Sequence, residues 1–285
     1  MKKHLLYTAF TLLLFGSCFT ERGIAVDYVE KFSKAKYEAT ERIYVVVPKN
    51  VIRTNRSLND IEDFHQMTPD KQDALIKART KFVDKVEDSI LLSQFKQHLL
   101  YNLSRIGIPI IEVSHTEQLP NAVENQIFIL DIPQLEIEEY VEDKSVEYVT
   151  GGGTKYETAI PQNKISINVW YLFDKQSDEG TTPVYYYNWV FTDQVESRLV
   201  RDTDGNLKLH TKVNELNMND VYYASHLAGK LSATYFLEKI INNYVESQKG
   251  KANYYYFYSP ERNTITNNEV PYYYEISTFR KLSQE

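Results

Sequence analysis

The first half of the chain carries hydrophobic spacings typical of a strand, a helix and a second strand. Residues 43–47 form an unbroken apolar run followed by a proline, which predicts a buried strand. Apolar residues then recur every three or four positions over residues 68–107, which predicts a long helix with a break near Thr80. Residues 109–113 predict another strand. Together these elements predict a βαβ unit with parallel strands and a right-handed crossover.

The second half of the chain is dominated by strand-like alternation of apolar and polar residues. The Asp-Gly pair at 204–205 is a strong turn signal and predicts a hairpin over residues 198–210. Pro133 predicts a bulge or bend in the first alternating run, and a second long helix is predicted from about residue 219 to 247. We therefore expect an α+β fold, a mixed sheet with two long helices on one face. Its sheet combines the βαβ unit with an antiparallel meander over residues 126–141, 164–173 and 184–195.

Aromatic side chains are concentrated on one face of the last meander strand, and the chain contains 23 tyrosines. Tyr185, Tyr187 and Trp189 share this face, and Trp170 lies on the preceding strand. Such rings stack on sugars or anchor protein partners, and they are also good core residues of strands. These four residues form the candidate binding face, although alternation alone leaves open which face of the sheet is buried.

The first eighteen residues have the build of an export signal. Lysines at positions 2 and 3 precede a mostly apolar run over residues 5–15, and Gly16-Ser17-Cys18 follows. The run is too short to cross a bilayer, which takes about 20 apolar residues. Cleavage of an ordinary signal peptide after Ser17 would place Phe15 where that cleavage prefers a small side chain, so a lipoprotein signal fits better.

Residues 14–18 resemble the lipobox of bacterial lipoprotein signals, in which two small residues precede a cysteine that is acylated on its thiol. Phe15 departs from the usual aliphatic residue at its position. The resemblance implies that Cys18 is lipidated and attaches the chain to a membrane of the bacterial cell envelope. Phe19 is not the aspartate that retains such proteins at the inner membrane, which favours the outer membrane. Cys18 is the only cysteine, so it cannot form an intramolecular disulfide.

Composition predicts a folded domain behind this signal. Hydrophobic residues make up 42% of the chain, which is enough for a core. The net charge of −7 and the pI near 5.5 argue against nucleic acid as a partner, because no basic excess exists to displace counterions. We divide the chain into a signal peptide at 1–17, a lipidated tether at 18–26, an α+β domain at 27–250, and a Tyr-rich C-terminal extension at 251–285 packed on the domain.

Chemical motifs are scarce in this sequence. The six histidines form neither an HExxH motif nor a close pair, and His98 and His226 are expected to be surface or boundary residues of helices. Residues 202–206 match the opening of a calcium loop, but Leu207 replaces the required glycine. The acidic run over residues 136–143 is typical of a solvated face rather than of glycosidase carboxylates. We therefore predict no catalytic residue, no metal site and no cofactor.

The order of the predicted elements resembles that of periplasmic α/β lipoprotein domains, including the auxiliary lipoproteins of envelope transport systems. This resemblance concerns element order and assigns no functional residues. It favours a non-enzymatic, membrane-tethered envelope lipoprotein that assembles with other envelope proteins. A surface lipoprotein that binds glycans or other polymers through its Tyr/Trp face is the alternative, and an envelope hydrolase is the third hypothesis.

Overall fold

The structure of this protein is a computed structural model. It describes residues 21–31, 41–58, 61, 63–115, 119, 127–175, 182–259, 262, 264–269 and 279–282. The predicted signal peptide and Cys18 lie outside these residues.

Four helices and eleven strands make up the described part of the chain. The helices are α1 at 21–31, α2 at Pro69–Arg79, α3 at Asp88–Leu103 and α4 at Met218–Lys249. The strands are β1 Arg42–Val46, β2 Ile52–Asn55, β3 Ile110–Val113, β4 Ile127–Val149, β5 Lys155–Lys175, β6 Val184–Thr192, β7 Gln194–Arg201, β8 Leu207–Asn214, β9 Tyr255–Ser259, β10 Thr264–Asn268 and β11 Phe279–Leu282.

The strands form one mixed seven-stranded sheet and two small hairpins, which confirms the α+β prediction. The order in the main sheet is β11-β6-β5-β4-β1-β3, and β2 pairs with β4 beyond the end of β1. Strand β1 is parallel to β3 and β4, whereas β4, β5, β6 and β11 pair in antiparallel fashion. The register of β4 against β5 shifts between Asp131 and Gln134, which confirms the irregularity predicted at Pro133.

The long helix predicted over residues 68–107 is divided into α2 and α3. The break falls at Thr80, as predicted, and residues 80–87 form a short non-helical segment. Phe82, Val83 and Val86 in this segment are buried in the core. The segment therefore covers part of the sheet instead of continuing the helix.

Helices α3 and α4 pack closely together over the buried face of the sheet. Gly229 of α4 lies against the backbone of α3, where an added Cβ would be 2.2 Å from the carbonyl oxygen of Phe95. The Ser225 hydroxyl donates to the Leu91 carbonyl oxygen at 2.8 Å in the same interface. Helix α4 begins at a capping box formed by Asn217 and Asp220, two residues before the predicted start.

The N-terminal helix α1 begins within the segment that was predicted to be a tether. Ala25 is fully buried, and Tyr28 stacks on Tyr244 of α4 at 4.1 Å between ring centroids. The predicted tether boundary at residue 26 is therefore wrong, because residues 21–26 already belong to a helix docked in the core. Tyr28 and Val29 follow Ala25 by three and four positions, which is the spacing of residues on the buried face of a helix.

The described parts of the C-terminal extension pack against the domain in two places. Strands β9 and β10 form a hairpin whose Tyr256, Tyr258 and Ile265 enter the core beside α4. Strand β11 extends the main sheet at the edge of β6. Among the described helices, none combines the length and the apolar character that a membrane span requires.

Candidate functional site

The structure buries the face of β6 that was predicted to bind a ligand. Tyr185 and Tyr187 are 1% and 0% exposed, and Phe279 of β11 packs on Tyr187 with ring centroids 4.7 Å apart. Trp189 is half-buried and also packs against the core. The predicted binding face is therefore wrong for Tyr185 and Tyr187, because α4 covers this face and Phe279 of the neighbouring strand β11 packs beside Tyr187. Trp170 lies on the opposite face of the sheet.

That opposite face carries a connected network of polar side chains, which we call the polar face. The Oδ1 atom of Asn168 accepts hydrogen bonds from Ser166 Oγ at 2.9 Å, Asn188 Nδ2 at 2.6 Å and Tyr186 Oη at 3.0 Å. Its own Nδ2 donates to Glu136 at 3.4 Å. Burial raises the pKa of Tyr186, so this hydroxyl stays protonated and can donate. The network spans three adjacent strands.

Two aromatic rings border the network on one side and a cation borders it on the other. Trp170 and Tyr186 lie 4.9 Å apart between centroids and are tilted by 51°. Arg56 lies 3.5 Å from the Glu138 carboxylate and 4.8 Å from the Tyr140 ring centroid. Amides, hydroxyls and carboxylates beside aromatic rings are the groups that bind polyols. Most of these polar groups already bond to one another, and the two rings are not parallel.

A long hairpin projects from the sheet beyond this network. Strand β6 pairs with β5 only over residues 164–172, and β2 pairs with β4 only over 136–139. The two strands continue as a two-stranded ribbon, residues 141–163, which we call the arm. Nine paired residues on each strand give it a length of about 30 Å. Hairpin β7–β8 contacts both β4 and β5.

The arm exposes large apolar side chains on both of its faces. Tyr148 is 43% exposed on one face, and Val141 and Val149 are 47% and 56% exposed on the other. Lys155 bridges Glu147 and Glu157 at 3.1 and 3.0 Å, so charged groups are interspersed with the apolar ones. An isolated two-stranded ribbon buries little apolar surface on its own and leaves its outer strand edges unpaired. Unpaired strand edges of this kind are able to pair with a strand of another chain.

Helix α4 separates the arm from α1. At its start, the Leu216 N–H donates to Asp193, whose carboxylate also accepts from the Asn163 N–H at the base of the arm, both at 2.8 Å. Near its end, Tyr244 stacks on Tyr28 of α1. A helix of 32 residues is about 48 Å long. The base of the arm and the N-terminal helix therefore lie near opposite ends of α4.

A cleft of about 670 Å³ opens beside the base of the arm. Arg79, Lys81 and Lys85 line it together with Asp143. Lys81 forms an ion pair with Glu215 at 2.5 Å, and Arg79 donates to a backbone carbonyl, so two of the three cations are already engaged. This cleft is a weaker candidate site than the arm.

The structure brings two histidines together that the sequence did not pair. The rings of His98 on α3 and His226 on α4 stack with centroids 3.5 Å apart. Burial, followed by the nearby Lys230 charge, lowers the pKa of His98, and burial, His98 and Lys230 lower that of His226. Both rings are therefore neutral near pH 7. Both histidines are partly buried on helices, as predicted for boundary residues, and the close α3–α4 contact brings the two rings together.

Glu238 on α4 is a buried carboxyl group. It is 7% exposed, and within the described part of the chain no hydrogen bond or ion pair reaches its carboxylate. Burial raises the pKa of Glu238 to about 9, so the group is protonated in the folded protein at pH 7. Because the folded pKa lies above the unfolded one, this group opposes folding increasingly as pH rises from about 4.5 toward 9.

Replacing Glu238 with glutamine should therefore stabilise the protein at pH 7. We expect Glu238→Gln to raise the free energy of unfolding by on the order of 3 kcal/mol, and to flatten the decline of stability between pH 5 and pH 9. Urea denaturation at several pH values measures both effects. Glu246→Gln, at an exposed position two turns along α4, is the matched control and should leave the slope unchanged. An unaltered slope in Glu238→Gln would contradict this assignment.

Comparisons with known proteins assign no family to this chain. No family model matches the sequence, and no curated protein matches it. One solved structure that it matches is described as a homologue of a neuraminyllactose-binding hemagglutinin from Helicobacter pylori. The two chains are 10% identical, the match covers 74% of this chain and 91% of that one, and the TM-score is 0.28. A likeness this weak carries no argument about function.

Proposed function

We propose that this chain is a non-enzymatic lipoprotein of the bacterial cell envelope, held on a membrane by acylated Cys18, that assembles with another envelope protein through its arm. The observation that carries the proposal is the arm, with Tyr148, Val141 and Val149 exposed on a ribbon that projects about 30 Å from the sheet. The lipobox supports the anchor. Two or more acyl chains hold a protein stably on a membrane, whereas one chain does not.

In this proposal the protein is an adaptor that is attached to the membrane at one end and binds its partner at the other. Helix α1 begins three residues after Cys18, and the arm lies at the other end of α4. The base of the arm and helix α1 therefore lie about 40 Å apart along the axis of α4. In this arrangement the arm faces away from the anchoring membrane, toward a partner in the same compartment.

Crosslinking in intact cells tests both parts of the proposal. A photo-reactive residue at Val149 should form an adduct with a specific envelope protein, which mass spectrometry identifies. Tyr148→Ala should then weaken binding of that purified partner by about 2 kcal/mol, or roughly thirtyfold, since a tyrosine at an interface centre contributes about this much. Tyr223→Ala, which removes a tyrosine that is 53% exposed on α4, is the matched control and should leave the affinity unchanged.

A separate substitution tests whether Cys18 anchors the protein to the membrane. Cys18→Ala should release the protein from the membrane fraction, and unchanged fractionation would contradict lipidation. Equal adduct yields from Val149 and from a photo-reactive residue at Lys208, an exposed position on β8, would contradict a specific interface at the arm.

Glycan binding remains the second candidate function, and the polar face is its support. Trp170 and Tyr186 lie on one side of Asn168 and Asn188, and sugar-binding surfaces also place rings beside amides. If Trp170→Ala abolishes retention of the protein on envelope polysaccharide while Tyr148→Ala has no effect on any partner, this function is favoured over the adaptor.

A further inference from the structure

The β9–β10 hairpin contacts the first turn of α1, the helix that begins three residues after Cys18. The carboxylate of Glu21 accepts hydrogen bonds from Asn253 Nδ2 at 2.8 Å and from Tyr256 Oη at 3.2 Å. Arg22 Nη2 donates to the carbonyl oxygen of Ile265 in β10 at 3.3 Å. Glu21 is only 4% exposed. The first turn of α1 is thus fixed to this hairpin by side-chain contacts.

Chain length limits how far the domain can move from the anchor. Three peptide units separate Cys18 from Glu21, and they span at most about 11 Å when fully extended. A flexible tether of many residues would let the domain turn freely above the membrane, but a connection of at most about 11 Å keeps Glu21 within that distance of the acylated cysteine. The face of the domain around Glu21 must therefore stay close to the lipid headgroups.

The side chains on the outer surface of this hairpin suit a lipid interface. Tyr256, Tyr258 and Ile265 point into the core, so the alternate residues point outward. Tyr255 is 39% exposed and Phe257 is half-buried beside it. The outward residues of both strands include no acidic side chain; they are Tyr255, Phe257, Ser259, Thr264, Thr266 and Asn268.

Two exposed basic residues precede β9 in the chain. Lys249 ends α4 and Lys251 lies in the segment between α4 and β9. Tyrosine is enriched at membrane interfaces because its ring is amphipathic, and lysine is attracted to the anionic headgroups beside it. We infer that the outer surface of the β9–β10 hairpin rests on the lipid headgroups of the membrane that carries the anchor. This inference rests on the proposed lipidation of Cys18.

The contact fixes the orientation of the whole domain. With the hairpin on the lipid surface and α4 rising from it, the arm is presented at a fixed height and direction. A partner then meets a pre-oriented interface, which lowers the orientational entropy lost on binding.

Site-directed labelling in vesicles tests the inference. Acylated Cys18 has no free thiol, so a cysteine introduced elsewhere is labelled uniquely. We would purify the full lipidated chain with Thr266→Cys, attach a nitroxide, and reconstitute it into vesicles of phosphatidylethanolamine and phosphatidylglycerol. Gly152→Cys at the tip of the arm is the matched control. The nitroxide at position 266 should be severalfold more accessible to oxygen than to a water-soluble nickel complex, relative to the one at 152.

Further variants distinguish contact of the hairpin with lipid from attachment of the chain by its lipid anchor. Tyr255→Asp in the Thr266→Cys background should return the nitroxide to an aqueous environment, while the protein stays in the membrane fraction. A nitroxide at 266 that is aqueous in the otherwise unchanged, membrane-bound protein would overturn the inference and leave lipidation intact. Recovery of the unaltered chain in the soluble fraction would overturn both.

Discussion

Gly229→Ala should be among the most destabilising single substitutions in this protein. A methyl group at this position would lie 2.2 Å from the Phe95 carbonyl oxygen and 3.1 Å from the Leu99 amide nitrogen, both of them backbone atoms of α3. Neither atom can rotate away as a side chain could, so the two helices would have to separate. Overpacking typically costs about 1–3 kcal/mol, and we expect a loss of about 3 kcal/mol here because both close atoms belong to the backbone. Urea denaturation followed by circular dichroism measures the loss.

Gly23→Ala provides the matched control for this substitution. Gly23 also lies in a helix, but nothing is found within 4 Å of an added Cβ there. Because alanine is the better helix former, this change should be neutral or should stabilise the protein by up to about 1 kcal/mol. If the two substitutions had equal effects, the close approach of α3 and α4 would not be what requires glycine at position 229.

Glu139→Gln should produce the second large loss of stability. Glu139 is 2% exposed, and its carboxylate accepts hydrogen bonds from the backbone N–H groups of Lys81 at 2.7 Å and of Phe82 and Val83 at 3.0 Å. Glutamine removes the charge and turns an NH₂ group toward these donors. Leaving buried donors unsatisfied costs about 1–3 kcal/mol each, so we expect a loss of about 3 kcal/mol in the free energy of unfolding.

The adjacent residue supplies the control for Glu139. Glu138 points to the other face of the sheet and pairs at 3.5 Å with Arg56, whose side chain is 53% exposed. The Glu138 side chain is 16% exposed and its ion-pair partner is open to solvent, so Glu138→Gln should cost less than Glu139→Gln, about 1 kcal/mol. Hydrogen exchange of the amides of residues 81–83 gives a local readout, since Glu139→Gln should speed exchange there and Glu138→Gln should not. Unchanged protection in Glu139→Gln would contradict the role assigned to this carboxylate.

Glu139 also shows that a local acidic run does not reveal which of its carboxylates are buried. The acidic run over residues 136–143 predicts a solvated face, and this prediction is wrong for Glu139. Its partners are 56 to 58 positions away in the chain, in the segment between α2 and α3. Strand periodicity puts Glu139 on the same face as Ile137. The N–H groups that satisfy the buried carboxylate come from residues 80–87, and local periodicity does not reveal that this segment passes there.

The sequence by itself determined the elements whose signals are local. Spacings of three and four placed α3 and α4, apolar runs placed β1 and β3, and Pro133 marked the irregularity in β4. These predictions succeed because the physical cause, helical or strand periodicity and the missing N–H of proline, lies within a few residues. The lipobox prediction at Cys18 has the same local character and rests on the sequence alone.

Only the tertiary structure decided which surfaces are available for binding. Both faces of β6 carry aromatic residues, and a two-residue period is the same whichever face is buried. Phe236 on α4 and Phe279 on β11, 49 and 92 positions after Tyr187, make Tyr185 and Tyr187 part of the core. The arm exists for a similar reason: alternation continues along β4 and β5, but it cannot show that β6 ends early. Exposure depends on contacts between distant parts of the chain, and local periodicity carries no information about them.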